Sequence, residues 1–272
     1  MVARLYRFLV TDQMDALDRL RDEPPQGPRS PAFQSVAAML VVALMLCVMN
    51  FLVLDGEFQA RMSGKAIRFA EGLPEGGLRD LLLSLGPLYR HAVWSLGCTS
   101  IYFVVPALVV RFVFREPLAN YGALPRRFFR HLPIYLALFV PVFVAVVVVS
   151  YTEAFQRTYP FYHYPNALWD LLVWEVLYCL QFFALEFFFR GFMIHATKRT
   201  MGSMAVWAMV IPYCMIHFQK PAAEAVAAIL AGTVLGVLSL RTNTIWGGVF
   251  IHSAVAIAMD WASLLQRGAL PF

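Results

Sequence analysis

Charge is what this chain has least of. Asp, Glu, Lys and Arg make up 14% of its 272 residues and hydrophobic residues 60%, where a soluble domain carries about 25% charged residues. Mean hydropathy is +0.64, and together these values exclude an ordinary soluble domain. Cysteine is also scarce. Cys47, Cys98, Cys179 and Cys214 each stand alone in an apolar run, with no Cys-x-x-Cys spacing. That excludes a disulfide framework or a zinc cluster and leaves packing as their role. Residues 1–23 lack a continuous apolar core, so no cleavable signal peptide is expected. Internal repeats, low-complexity tracts and a His-Glu-x-x-His motif are missing too.

What is present is a series of long apolar runs. They fall near 35–54, 92–114, 132–150, 167–199, 203–218, 221–240 and 244–265. A membrane crossing needs about 20 residues. The fold class is therefore all-α, a polytopic transmembrane bundle of about seven helices, six to eight at the limits. The fourth run exceeds one simple crossing and is expected to begin as a tilted or interfacial stretch carrying Asp170 and Glu175. Ahead of the bundle, Leu5, Phe8, Leu9, Leu17 and Leu20 recur at helical spacing among Arg4, Arg7, Asp15, Asp18, Arg19 and Arg21. This pattern predicts an amphipathic helix on the membrane surface. Pro24, Pro25, Pro28 and Pro31 follow as a stiff linker. The expected organisation is thus a cytoplasmic segment 1–34 and a bundle 35–272.

Net charge is +5, and its distribution follows membrane orientation, not a nucleic-acid pattern. Arg4, Arg7, Arg19, Arg21 and Arg29 precede the first span, Arg111, Arg115, Arg126, Arg127 and Arg130 surround the loop after the second, and Lys198 and Arg199 end the fourth. The opposite loops hold little net positive charge. The positive-inside rule places the N-terminus in the cytoplasm.

Spans one to three carry no acidic or histidine residue in their apolar cores, so any chemistry belongs to residues 170–260. There, Glu186 and Arg190 lie one helical turn apart amid Phe182, Phe183, Phe187, Phe188, Phe189 and Phe192. An ionisable residue at membrane depth is costly unless paired or hydrated, and marks a functional site by default. At ~1.5 Å of rise per residue, Glu186 lies roughly 18 Å above the cytoplasmic end of its span, His217 roughly 21 Å and His252 roughly 16 Å above theirs. Three ionisable groups from three helices therefore reach one depth. Plainer readings stand beside this one. Glu186 and Arg190 make a structural ion pair, His217 is a helix-end histidine near Lys220, and His252 bonds a backbone carbonyl. His195 falls on the opposite face and reads as structural. His91, His131 and His163 read as loop residues, and Asp170 and Asp260 as interfacial. Glu175 shares the face of Glu186 three turns higher and is a candidate entrance residue.

At these positions the chain resembles the CAAX protease and bacteriocin-processing family of intramembrane glutamic endopeptidases. That family carries Glu-Glu-x-x-x-Arg, Phe-x-x-x-His and His-x-x-x-Asn on successive membrane helices. Here Leu185-Glu186-x-x-x-Arg190-Gly191 resembles the first motif, Tyr213-x-x-x-His217 the second, and His252-x-x-x-Ala256 the third. The resemblance covers about residues 165–260. It departs from the family at Leu185, in the place of the first Glu, and at Ala256, in the place of the Asn.

The resemblance implies peptide-bond hydrolysis with Glu186, Arg190, His217 and His252 as catalytic set. Glu186 takes the proton from water, His217 orients that water, and His252 donates to the carbonyl oxygen. Glu175, Phe182, Phe189 and Tyr213 are the expected substrate cavity. No cofactor, metal or nucleic acid is implied. The partners are the lipid bilayer and a membrane-associated protein or peptide, its processing tail C-terminal in some family members. The expected location is a bacterial inner membrane. Two histidines and a carboxylate also make a legitimate zinc set, which Arg190 disfavours. The alternative class is a weak or inactive relative that binds membrane peptides, or a small transporter.

Overall fold

The computed structural model describes residues 7, 11–22, 28–125, 128–163, 165, 167–220 and 222–270. Among the described residues all regular elements are helical. In chain order they are α1 (Asp12–Arg19), α2 (Pro31–Val53), α3 (Gly56–Glu71), α4 (Gly77–Ser84), α5 (Gly86–Phe114), α6 (Phe128–Val149), α7 (Glu153–Thr158), α8 (Leu168–Met201), α9 (Met204–Met215), α10 (Ala222–Thr242) and α11 (Trp246–Arg267). Six of these, α2, α5, α6, α8, α10 and α11, are long and apolar enough to cross a membrane. The apolar helix α9 is shorter. Its 12 residues rise only ~18 Å, against a hydrocarbon core of about 30 Å.

The central helix is α8. Of its most apolar window 56% is buried, against 11% for α6 and 39% for α10. It packs on α5, α9, α11 and α2, while α6 keeps Val140, Val144 and Val148 exposed in the manner of a lipid-facing helix. Contact between α5 and α8 is aromatic. Tyr102 meets Phe188 at 4.7 Å, Phe103 meets Phe187 at 5.0 Å, and Phe114 stacks on Phe192 at 6.0 Å. Both helices widen to π pitch where they meet, over Ser100–Val104 and Val109–Phe114 in α5 and Phe187–Met193 in α8.

The fourth span is one helix from Leu168 to Met201, 34 residues long, longer than one simple crossing as expected. Near its start Asp170 is satisfied internally. Asp170 accepts from Tyr162 Oη at 3.0 Å and from the backbone N–H of Ala167. Asp260 is fully buried, and Trp174 Nε1 donates to it at 2.7 Å. His91 and His131 belong to α5 and α6, not to loops, and His91 packs edge-on to Trp174 at 4.9 Å. Pro31 opens α2 instead of extending the linker. It sits at the first helical position, where no N–H is missed, and Ser30 Oγ caps Phe33 N–H.

The amphipathic N-terminal segment is helical over Asp12–Arg19 and buries Leu17. Asp18 Oδ1 accepts from Ser203 N–H at 2.8 Å, so α1 docks on the turn between α8 and α9. Arg4, Leu5, Phe8, Leu9, Pro24, Pro25, Arg126 and Arg127 lie outside the described residues.

The start of α11 is pinned by the loop after α5. Ile245 N–H donates to Gly122 O at 3.0 Å, Thr244 Oγ1 to Leu124 O at 3.1 Å, and Trp246 Nε1 to Ala123 O at 2.8 Å. Tyr135 of α6 closes over the same turn, its hydroxyl 3.3 Å from Thr242 Oγ1. Its ring occupies the space where a Cβ at Gly247 would stand. Gly247→Ala is therefore expected to destabilise the fold by about 1–3 kcal/mol through overpacking. Gly86→Ala, with open space around the new methyl, serves as the control. A thermal-unfolding comparison in detergent checks this, and equal midpoints for the two variants count against the packing described.

Candidate active site

Glu186 is the last α-helical residue of α8 before the π segment that contains Arg190. Such π turns concentrate at functional sites. Here the widened turn leaves carboxylate and guanidinium on one side of the helix. Arg190 Nη1 lies 2.9 Å from Glu186 Oε1, and both side chains are essentially inaccessible to solvent.

Three helices meet at this pair. From α11, His252 brings Nδ1 to 2.7 Å from the same oxygen, Glu186 Oε1. From α9, Tyr213 places its hydroxyl 2.8 Å from His252 Nε2 and its ring 3.9 Å from the Arg190 guanidinium carbon. That ring face adds a cation–π attraction to the ion pair. Nδ1 of His252 therefore faces the carboxylate and Nε2 the Tyr213 hydroxyl.

His217 joins through the backbone. Its Nδ1–H donates to the carbonyl oxygen of Tyr213 at 2.8 Å, which leaves Nε2 as an acceptor. The ring meets Tyr213 edge-on at 4.8 Å. His217 is not inside a span, as expected from its apolar surroundings, but in the turn after α9, because that helix stops at Met215. The turn closes through His217 N–H to Cys214 O and Lys220 N–H to His217 O.

Of the expected cavity residues, Phe182 stacks on His252, with ring centroids 5.5 Å apart and planes 7° apart. Phe189 is fully enclosed and sits edge-on to Tyr213 at 5.4 Å, so it backs that ring from the core side. Glu175 is not brought into the cluster. It is buried with Asp260 and Trp261 as its polar neighbours, about 16 Å of helix rise from Glu186. The cluster has an accessible edge and an enclosed base. His252 keeps 17% of its side chain exposed and His217 is half-buried, while Glu186 and Arg190 lie behind them.

One determinant was missed in the sequence. Gly248 lies against the Glu186 carboxylate so closely that a Cβ there would overlap it. The Gly247-Gly248 pair at the head of α11 was its only sequence signal. The two departures from the family motifs are both packed as apolar core. Leu185 is buried in the main cluster, and Ala256 lies among Leu88, Leu171, Trp174 and Leu264.

Residues 166–258 match the family model described as type II CAAX prenyl endopeptidase Rce1-like. No curated protein and no solved structure is matched. The matched stretch contains α8 through most of α11, with Glu186, Arg190, Tyr213, His217 and His252 all inside it. Over this stretch the chain is similar to a family of CAAX-type membrane proteases, in agreement with the resemblance drawn from motif order.

Removing one partner of a buried ion pair costs about 3–5 kcal/mol, because the other charge remains. Arg190→Met should therefore lower the unfolding midpoint sharply, and Glu186→Gln added to it should restore part of the loss. A double-mutant cycle on thermal unfolding reads this coupling. Simple additivity of the two losses would show that the two groups do not interact in the folded protein.

Proposed function

We propose that this protein is an intramembrane endopeptidase that hydrolyses a peptide bond in a membrane-associated protein or peptide, with Glu186 as the water-activating carboxylate. The observation that carries the reading is the shared oxygen. Glu186 Oε1 is contacted by Arg190 at 2.9 Å and by His252 at 2.7 Å, inside a shell of phenylalanines. A carboxylate so placed is oriented by two fixed groups, the arrangement that base catalysis requires.

The reaction follows from the positions of the protons. Water approaches along the His217–His252 edge, and His217 Nε2 accepts one of its hydrogens and orients it. Glu186 takes the other proton as the water oxygen bonds to the substrate carbonyl carbon. The developing oxyanion is met by Tyr213 O–H, with His252 behind it. As negative charge grows on that oxygen, the Tyr213 hydroxyl turns to it from His252 Nε2, 2.8 Å away in the resting site, and the proton taken from water stays on Glu186. Donors placed in this way are worth about 3–4 kcal/mol in known oxyanion holes. Collapse breaks the C–N bond. The nitrogen takes the proton from Glu186 and leaves as an amine, and the other product is a carboxylic acid. Phe182 and the half-buried ring edges hold the apolar substrate, and Glu175 stands at the far end of α8 as an entrance group. The N-terminus is assigned to the cytoplasm.

The metal-dependent variant is disfavoured by the chemistry of the donors. Both ring nitrogens of His252 are engaged by protein groups, and a guanidinium beside Glu186 repels a second cation. A second reading, a relative that binds membrane peptides or serves as a small transporter without cleaving, draws support from the complete enclosure of Glu186 and from Leu185 and Ala256 in apolar packing.

Cleavage of an apolar reporter peptide in detergent separates these readings. Glu186→Gln should abolish turnover, by at least about 100-fold, in the protein that remains folded, with the unfolding midpoint recording the separate cost of leaving Arg190 without its counter-charge. His252→Ala should do nearly as much, and Glu175→Gln should be milder. Turnover surviving in Glu186→Gln but lost in Glu175→Gln would move the base to Glu175. Leu185→Glu tests whether a second carboxylate raises turnover or only buries a charge.

Exhaustive chelation should leave the rate unchanged. A rate lost to chelator and restored by zinc would instead establish a metalloprotease.

A further inference from the structure

The second gathering of charge lies at the other end of α8. A cavity of about 430 Å³ opens there. Its walls come from the ends of four helices. Arg29 precedes α2, Arg115 and Glu116 follow α5, Lys198 and Arg199 lie in the last turn of α8, and Asn243 follows α10. Four cationic side chains thus surround one carboxylate. That carboxylate is itself engaged, since Glu116 Oε1 accepts from Gln34 Nε2 at 2.6 Å.

The cations are positioned by the fold. Arg29 Nε donates to Val113 O at 3.2 Å, and Lys198 Nζ lies 3.0 Å from His195 Nδ1. Arg115 has φ +62°. Glycine takes that left-handed backbone without strain, yet the position carries a guanidinium. All of these groups sit at the ends of apolar helices, and ends of helices that span a bilayer lie near its headgroups. A cavity of this size is many times the ~30 Å³ share of one water and admits a hydrated phosphate. On the outward face of α2, across the helix from Gln34, Val36 and Leu40 are 61% and 67% exposed, an apolar surface that an acyl chain can cover.

We propose that this cavity binds the phosphate group of an anionic phospholipid. The basic loops that line it are those assigned to the cytoplasmic face, where anionic lipids collect. The headgroup bridges α2, α5 and the end of α8, and the acyl chain runs along α2. Free phosphate shares the same anion chemistry but has no use for the α2 track, so the two sources are separable by experiment.

The full-length protein is reconstituted in phosphatidylcholine nanodiscs and titrated with phosphatidylglycerol, and retained lipid is counted by native mass spectrometry. One phosphatidylglycerol should stay bound per chain in preference to phosphatidylcholine. Lys198→Gln should weaken retention about fivefold, and Arg115→Gln with Lys198→Gln about 25-fold. Arg157→Gln removes the same charge from the exposed helix α7 and should change nothing. Glu116→Gln removes the opposing charge and should strengthen retention, which keeps the test decisive if the double variant fails to fold. Equal retention of the two lipids, unchanged binding in the double variant, or weaker binding in Glu116→Gln would overturn the site. Thermal stabilisation by millimolar inorganic phosphate equal to that by phosphatidylglycerol would overturn the lipid assignment.

Discussion

A buried carboxylate facing a buried guanidinium is the constraint from which most of this bundle follows. Neither Glu186 nor Arg190 reaches solvent. In hydrocarbon each is tolerable only while the other stays within contact distance. Such a pair fixes the rotation of α8 about its axis, because turning that helix outward would carry both charges into lipid. Its partners are then chosen by what the pair admits. An aromatic face at Tyr213 covers the cation, an imidazole shares the anion, and a residue without a side chain lies where α11 presses on the carboxylate. The phenylalanines between α5 and α8 supply the dense apolar wall that keeps bulk water from competing with these contacts.

How much of this was legible in the sequence depends on the kind of signal. Hydropathy located the six long helices and the short one to within a few residues, because a run of about 20 apolar residues has few other uses. Helix ends were less legible. The apolar run around His217 continues past the point where α9 stops at Met215, and hydropathy registers no difference between a helix and the turn that follows it. His91 was misplaced, and the burial of Asp170 and Asp260 went unforeseen, for a related reason. A polar residue near the end of an apolar run looks interfacial until its partner is known. Those partners, Phe161 O for His91, Tyr162 for Asp170 and Trp174 for Asp260, are 70, 8 and 86 positions away in the chain.

At the site, the charged residues were legible and their wiring was not. That Glu186 and His252 could reach one level followed from counting residues along helices. That Tyr213 sits between Arg190 and His252, with its ring toward one and its hydroxyl toward the other, depends on the rotation of α9. No single-helix pattern encodes that rotation. Gly248 was equally silent, because its role is to leave a space. The family match covers the same stretch, α8 to α11, which also holds the buried Asp170, Glu175, Glu186 and Arg190.

The strap across the head of α11 has a consequence for evolution of the chain. Three hydrogen bonds tie residues 244–246 to the backbone of Gly122, Ala123 and Leu124, so that loop serves as the datum from which α11 is measured. His252 stands under two turns beyond it. A one-residue insertion between the strap and His252 would rotate the imidazole by about 100° and raise it by ~1.5 Å, out of reach of the carboxylate. An insertion in the short connection of residues 115–117 between α5 and Leu118 would leave that distance untouched. The chain can therefore vary in length ahead of the strap, but from the strap to His252 it must be copied residue for residue.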